Sequence, residues 1–212
     1  MKDPIPAIAE ASATGNTATV FADIREVLGV PIVNLVWRHL ATIDGALPWS
    51  WSTVRPLYVD GSVNAEARLL RAELVLPPLP AIPSEVFAAL GLEPSALGVI
   101  RDILAAYDHT NTMALIALAA LQIRLANRDD GTTGPVIPAA PASKPGPQIA
   151  LPRLPSMADL PGETAALVTA LNAFGTRRSK PILASMYRHL GYWPSYLALA
   201  WQILAPLETG GP

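Results

Sequence analysis

Apolar residues recur at helical spacing along most of the chain. Phe21, Ile24, Val27 and Leu28 form one such stripe, and Gly29 is placed to end it. No segment alternates between apolar and polar positions with a period of two, so we expect no β-sheet. The pattern therefore predicts an all-α fold. The predicted helices cover about 19–28, 31–43, 46–58, 62–75, 84–91, 94–107, 111–127, 163–174, 181–192 and 194–204.

One polar run interrupts this pattern near the middle of the chain. Its residues are Tyr107, Asp108, His109, Thr110 and Asn111. We predict that one helix ends near Tyr107 and that Thr110 or Asn111 caps the next, because such side chains accept the free N–H groups of a helix start. A functional alternative is that this helix start binds an anion while the Asn111 carboxamide orients a water molecule.

The composition changes sharply over residues 129–162. This stretch carries eight prolines, mixed with glycine, alanine and serine, and lacks helical periodicity. Such a density of proline favours an extended linker. Residues 1–18 are rich in alanine, threonine and serine, and we interpret them as a flexible arm. The predicted organisation is this arm, a first helical repeat over 19–128, the proline-rich linker, and a second helical repeat over 163–212.

The chain contains one segment twice, at a constant offset of 150 residues. Nine of the 27 positions from 31 to 57 are identical to their counterparts without a gap, and Trp37/Tyr187 and Val33/Leu183 are conservative pairs. Such a match indicates a duplication, and we expect the two repeats to pack as an intramolecular pseudo-dimer. The second repeat is expected to be truncated, because six residues follow Pro206. The identical pairs are Pro31/Pro181, Ile32/Ile182, Arg38/Arg188, His39/His189, Leu40/Leu190, Leu47/Leu197, Trp51/Trp201, Pro56/Pro206 and Leu57/Leu207.

Composition narrows the possible classes of function. Hydrophobic residues make up 51% of the chain and charged residues 15%, but the longest apolar stretch, Met113 to Leu121, is too short to span a bilayer. The net charge of −2 argues against a nucleic-acid partner that is bound through its phosphates. The absence of cysteine excludes disulfides and thiolate chemistry. The first residues lack a secretory pattern, so we expect a cytoplasmic protein without a membrane partner.

Standard catalytic and metal-binding motifs are absent from the sequence. The three histidines are His39, His109 and His189, and neither His39 nor His189 has a carboxylate or another histidine three or four residues further on. We therefore expect no metal and no cofactor. Trp49 and Trp51 point in nearly opposite directions on a helix, so one of them can face a ligand while the other packs in the core.

Three segments together resemble a known enzyme family. They are the run from Val30 to Leu47, the run Ser185-Met-Tyr-Arg-His-Leu, and the run Trp193-Pro-Ser-Tyr. These runs resemble the DehI-type (group I) 2-haloacid dehalogenases. The resemblance implies an all-α fold of two tandem helical repeats with the active site between them. It also implies a cofactor-independent hydrolase, in which an activated water displaces the halide directly and no covalent enzyme intermediate forms.

The resemblance also implies roles for individual residues. Asn111 matches an asparagine that helps to activate the water, Ser185 matches a serine that holds the substrate carboxylate, and Trp37 matches an aromatic wall residue. In the family the catalytic aspartate follows that serine, but here the residue is Met186. A general base contributes about 10²–10⁴ in rate, so its absence predicts changed chemistry.

We therefore expect a divergent enzyme. Its substrate is a small, largely apolar carboxylate or carbonyl compound, bound near Trp37, Ser185 and Met186. Hydrolysis, elimination or cyclisation would proceed with Asn111 and with Asp108, His109 or Tyr187 as the proton-transfer group. The alternatives are a residual 2-haloacid dehalogenase and a non-catalytic ligand-binding or interaction protein. We also expect a homodimer, because hydrophobic surface left uncovered by the short second repeat favours pairing.

Overall fold

The predicted all-α fold is confirmed. The computed structural model describes residues 5–79, 81–126, 150–174 and 182–209, and within these ranges it contains helices and no strand. Three short 3₁₀ turns cover Glu10–Ser12, Met157–Asp159 and Leu190–Tyr192. The α-helices are α1 Gly15–Leu28, α2 Leu35–Leu40, α3 Ala46–Val59, α4 Ser62–Glu73, α5 Ser84–Ala89, α6 Pro94–Ala126, α7 Gly162–Ala173, α8 Ser185–His189 and α9 Pro194–Thr209.

The described residues divide into two compact units. The first unit combines residues 7–76 with 106–126 and 150, and the second combines 5–6, 77–79, 81–105, 151–174 and 182–209. This division differs from the predicted one, because residues 77–105 group with the second copy of the duplicated segment rather than with the first. Most of the predicted linker, residues 129–149, lies outside the described residues. Of the described helices, none has the length and apolar character that crossing a membrane requires.

An aromatic cluster lies at the centre of the first unit. The Trp37 and Trp51 rings meet edge to face with centroids 5.5 Å apart, and Tyr58 lies 5.3 Å from Trp51. Phe21 and Ile24 of α1 pack into the same core, and both are almost fully buried. The apolar stripe predicted on α1 therefore faces this core, and Gly29 ends the helix in the left-handed conformation with φ 69°.

A polar network joins α1 to α3 at the edge of this core. The Trp51 indole N–H donates to Asp23 Oδ2 over 2.6 Å. The Arg55 guanidinium donates from Nε to Asp23 Oδ2 over 2.7 Å and from Nη2 to Asp23 Oδ1 over 2.8 Å. Its hydrogen bonds lower the pKa of the Asp23 carboxyl. One carboxylate thus holds both a buried indole and an exposed cation.

The N-terminal segment is bonded to the first unit within the range that we expected to be a flexible arm. Glu10 accepts the Val33 N–H at Oε1 over 2.9 Å and pairs with Arg25 Nη1 at Oε2 over 2.8 Å. The next helix was predicted to start at Pro31, and this is wrong, since α2 begins at Leu35. The side chain of Glu10 satisfies the Val33 N–H, so residues 32–34 need not be helical.

A carboxamide organises the corresponding region of the second unit. Asn172 on α7 donates from Nδ2 to the Val168 carbonyl over 2.7 Å and accepts the Ala184 N–H at Oδ1, just before α8. The core nearby contains Leu183 and Leu197, which are 1% and 0% exposed. His189 Nε2 lies 2.6 Å from a carbonyl of the segment before α7, which ties α8 to that segment.

Helix α6 runs without interruption through the polar run that we expected to break it. The predicted end near Tyr107 and the predicted cap at Thr110 or Asn111 are wrong, because α6 spans Pro94–Ala126. Thr110 and Thr112 instead donate their hydroxyl protons to the carbonyls four residues earlier, each over 2.8 Å. Such back-bonding lets short polar side chains occupy a helix interior. Asn111 therefore lies on a helix side, so the anion site expected at a helix start is not formed there.

Candidate functional site

A buried polar cluster joins α2 to α6 inside the first unit. Asn34 precedes α2 and is 4% exposed, while Thr110 is fully buried on α6. Asn34 Nδ2 donates to Thr110 Oγ1 over 3.1 Å and to Asn111 Oδ1 over 2.7 Å. Asn111 itself is exposed. The cluster thus connects the protein interior to a surface carboxamide.

Two polar atoms of α2 and its N-cap are buried without a hydrogen-bond partner among the described residues. They are Asn34 Oδ1 and Trp37 Nε1. An unpaired buried group costs about 1–3 kcal/mol relative to a satisfied one. Buried polar groups are nearly always paired in proteins, either with protein atoms or with ordered water.

An ion pair lies beside Asn111 on α6. Asp108 Oδ2 is 3.0 Å from Arg71 Nε, and the Asp108 side chain is 66% exposed. Arg71 Nη2 also donates to the backbone carbonyls of Asp108 and His109 over 2.9 and 3.3 Å. His109 Nε2 lies 3.2 Å from the Leu28 carbonyl at the end of α1. Both predicted proton-transfer groups of this unit therefore have structural partners.

The tryptophans of the first unit divide as the helix geometry predicts. Trp51 is 3% exposed and packs in the core, whereas Trp49 is 50% exposed. Trp37, the predicted wall residue, is 0% exposed within the aromatic cluster. Its ring is wholly enclosed by protein. A contact between Trp37 and a ligand is therefore a prediction of the family resemblance alone.

The remaining predicted site residues are consecutive on α8 of the second unit. Ser185 is the first residue of the helix and is 5% exposed. Met186 and Tyr187 follow it and are partly buried. Burial raises the pKa of the Tyr187 hydroxyl above its ordinary value of 10.0, so the hydroxyl stays protonated at neutral pH and releases its proton less readily than an exposed tyrosine.

The structure thus assembles the predicted residues in two groups, one in each unit. Asp108, His109 and Asn111 lie within one turn of α6, while Ser185 and its two successors share α8. The predicted site between the repeats remains a prediction. No three of the His, Asp and Glu side chains come together to hold a metal ion within the described residues.

Sequence reasoning missed Asn34, Thr110 as a buried partner, and Arg71. A signal for Asn34 was present, since the matching position of the second copy is Ala184. The two copies therefore differ at this position, and the helix forms in both without a shared carboxamide. The roles of Thr110 and Arg71 depend on tertiary contacts and left no such signal.

Three comparisons place the chain among known proteins. No family model matches it. A configuration-inverting 2-haloacid dehalogenase of Alcaligenes xylosoxydans xylosoxydans is 28% identical over 128 residues, which are 59% of this chain and 43% of that protein. The chain therefore matches less than half the length of this relative.

Solved structures of D-2-haloacid dehalogenases share the fold. A mutant with D-2-CPA matches with a TM-score of 0.77, a mutant described without a ligand with 0.78, and the enzyme with L-LA with 0.77. Each is 20% identical, and each match covers 99% of this chain and 73% of the other. These findings confirm the resemblance that the duplicated segments indicate.

Proposed function

We infer that the chain, a divergent relative of the DehI-type 2-haloacid dehalogenases, is an enzyme that binds a small, largely apolar carboxylate or carbonyl compound. The observation that carries this proposal is the exposed pair of Asp108 and Asn111 on α6. Residues three apart on a helix are neighbours on its surface, so a carboxylate and a carboxamide adjoin. A base beside a hydrogen-bonding group is the minimum that proton-transfer chemistry requires.

Asn111 would contact the polar end of the substrate. The positive charge of Arg71 is paired with Asp108, so the local charge is nearly balanced. A neutral carbonyl therefore suits Asn111 as well as a carboxylate does. Following the family resemblance, we propose Ser185 and Met186 as further substrate contacts. Methionine at position 186 adds apolar, adaptable surface, which favours a largely apolar substrate.

The chemistry would differ from that of the family, because position 186 carries no carboxylate. Asp108 is the proposed proton acceptor, since its side chain is exposed and Arg71 holds it in place. His109 is the alternative acceptor. Tyr187 is the proposed donor, since a phenol hydroxyl carries its proton at neutral pH. Hydrolysis, elimination and cyclisation of a carbonyl compound can each be accelerated by such a pair of groups.

The proposal is tested by titrating the full chain with 2-chloropropionate and with 2-butanone, as carboxylate and carbonyl probes. We expect saturable shifts in the side-chain amide signals of Asn111 in ¹⁵N–¹H spectra. Asn111→Ala should weaken binding about tenfold or more, whereas Asn64→Ala on α4 should leave it unchanged. Failure of both probes to shift Asn111 at millimolar concentration would contradict the proposal.

A residual 2-haloacid dehalogenase is the second candidate, favoured by the shared fold. Halide release from each enantiomer of 2-chloropropionate measures it directly. We expect no release above background from the natural chain. Met186→Asp restores the family's carboxylate, and release by this variant alone would indicate that only the base is missing. Release by the natural chain would contradict the proposed change of chemistry.

A non-catalytic interaction protein is the third candidate. The residues that favour it are Leu74, Val75 and Leu76, which follow α4 and are 57%, 96% and 75% exposed. Contiguous exposed apolar residues are typical of association surfaces. The proposed homodimer is tested by sedimentation at micromolar concentration. A monomer there would remove the dimer, and catalytic turnover of either probe would remove a purely structural role.

A further inference from the structure

We propose that Asn34 and Thr110 are positioning residues that turn the Nδ2 group of Asn111 outward as a hydrogen-bond donor. The orientation of Asn111 follows from the hydrogen bonds alone. The claim that this donor binds a ligand through an oxygen acceptor rests on the proposed function. Three hydrogen bonds in series connect the backbone of α6 to the surface carboxamide.

The hydroxyl proton of Thr110 has one possible direction. Its Oγ1 lies 2.8 Å from the Ala106 carbonyl oxygen. A carbonyl oxygen can only accept, so the single hydroxyl proton of Thr110 is directed to it. Towards any other partner, Thr110 Oγ1 must act as an acceptor.

The contact with Thr110 determines which carboxamide atom of Asn34 is nitrogen and which is oxygen. Its atom 3.1 Å from Thr110 Oγ1 must be a donor, which identifies it as Nδ2. The assignment of oxygen and nitrogen in this side chain is thus determined by the network. The same Nδ2 is 2.7 Å from the carboxamide of Asn111.

The contact with Asn34 determines the orientation of the Asn111 carboxamide. The atom that faces the Asn34 donor must be an acceptor, so it is Oδ1. Nδ2 is then directed away from Asn34, and Asn111 is exposed. A ligand or water at this position meets two N–H donors rather than a carbonyl oxygen. The arrangement therefore favours carboxylate and carbonyl oxygens and disfavours ligands that can only donate.

A purely structural role does not account for Asn34. It is 4% exposed, yet its Oδ1 has no hydrogen-bond partner among the described residues. The corresponding position before α8 is Ala184, and a helix forms there too. The duplicated frame therefore does not require a carboxamide at this position. Asn34 instead sets the orientation of the Asn111 carboxamide.

The chain offers a matched control for the experiment. Thr110 and Thr112 both donate to the carbonyl four residues earlier over 2.8 Å, but Thr110 alone is bonded to Asn34. Thr110→Val and Thr112→Val remove the same kind of bond from the same helix. Thr110→Ser retains the acceptor and should restore natural behaviour. Asn34→Ala removes the intermediate group.

Two measurements on the full chain keep this inference separate from the proposed function. The first is the exchange of side-chain amide protons with D₂O. In the natural chain those of Asn34 should exchange at least about tenfold more slowly than those of Asn111, because they are buried and bonded. Thr110→Val should remove this protection, while Thr110→Ser and Thr112→Val should preserve it. Rapid exchange of Asn34 in the natural chain would overturn the inference whether or not a ligand binds.

The second measurement is the affinity for 2-chloropropionate, 2-butanone and propylammonium. The two acceptor probes should bind about fivefold more weakly to Thr110→Val and Asn34→Ala, because Asn111 is no longer preorganised. Thr112→Val should bind like the natural chain, and any binding of propylammonium, which the Asp108 carboxylate can accept, should be the same in Thr110→Val as in the natural chain. Binding of the acceptor probes that is unaffected by both variants would overturn the inference and leave the proposed function standing. Protected Asn34 protons without binding of any probe would support the orientation and reject the proposed function.

Discussion

The two segments that match at an offset of 150 residues both form helices, but their side chains make different contacts. In the first copy, Asp23 binds Trp51 and Arg55 between α1 and α3. The positions matching Asp23 and Arg55 in the second copy are Ala173 and Ala205. There the contact between α7 and α9 includes the Phe174 and Trp201 rings, whose centroids are 6.3 Å apart. Identical residues thus specify the frame, while the differences show where each copy was adapted.

The short helices α2 and α8 repeat this contrast. In both, a side chain from another segment accepts a backbone N–H just before the helix, Glu10 for Val33 and Asn172 for Ala184. The two acceptors lie at different distances along the chain, 23 residues before Val33 and 12 residues before Ala184. Only the first copy places a carboxamide, Asn34, before its helix. The comparison therefore separates a shared structural requirement from a feature of one copy.

The largest expected effect on stability concerns Trp37 of α2, and the variant to compare is at the corresponding residue of α8, Tyr187. Trp37→Ala should lower the free energy of unfolding by about 3–5 kcal/mol, because it leaves a large cavity in the core. Tyr187→Ala should cost clearly less, since Tyr187 is only partly buried. Denaturant unfolding measures both, with Trp49→Ala as an exposed control. Equal costs for the first two variants would contradict the difference in burial.

The next effect concerns the polar network found only in the first copy. Asp23→Ala leaves the buried Trp51 indole without its acceptor, which should cost about 1–3 kcal/mol. Trp201→Phe should have a smaller effect, because no carboxylate occupies the matching position there. Thermal unfolding of the two variants measures the difference. If Asp23→Ala were as stable as the natural chain, the network would have no stabilising role.

The same carboxylate should make the first unit sensitive to acid. The hydrogen bonds from Arg55 lower the pKa of Asp23 below its ordinary value of 3.8. A lowered pKa in the folded state contributes stability that is present above pH 3.8 and is lost as the pH falls through the lower, folded value. Asp23→Asn should remove this contribution, so its unfolding free energy should vary less with pH in that range. Parallel pH profiles for both proteins would contradict the assignment.

The smallest effects should separate the two acceptors before the short helices. Asn172→Ala removes two hydrogen bonds of a buried side chain, each contributing about 1 kcal/mol. Glu10→Ala should cost less, because its side chain is 30% exposed and water can replace it. Denaturant midpoints of both variants provide the test. A larger cost for Glu10→Ala would reverse the ranking by burial.

Local sequence patterns predicted the helical class and several boundaries, because these depend on nearby residues. Gly29 ends α1 and Pro94 and Pro194 begin α6 and α9 as expected. The start of α2 was missed because it depends on Glu10, 23 residues before Val33. Long-range contacts of this kind leave no local signal.

The candidate site was predicted only in part, for the same physical reason. Asn111 was identified from the polar run and the family resemblance. The run itself was misread as a helix break, because the back-bonded hydroxyls of Thr110 and Thr112 make it compatible with a helix. Asn34 lies 77 residues from Asn111 and meets it only in the folded chain.

The central claim is that Asn111 presents a fixed donor to an oxygen acceptor. The most direct test is a ¹⁵N–¹H spectrum of the side-chain amides during titration of the full chain with 2-chloropropionate. We expect a saturable downfield shift of the Asn111 Nδ2 proton signals. This shift should be smaller in Thr110→Val and unchanged in Thr112→Val. Asn111 signals that stay unchanged through the titration, or that respond identically in both variants, would contradict it.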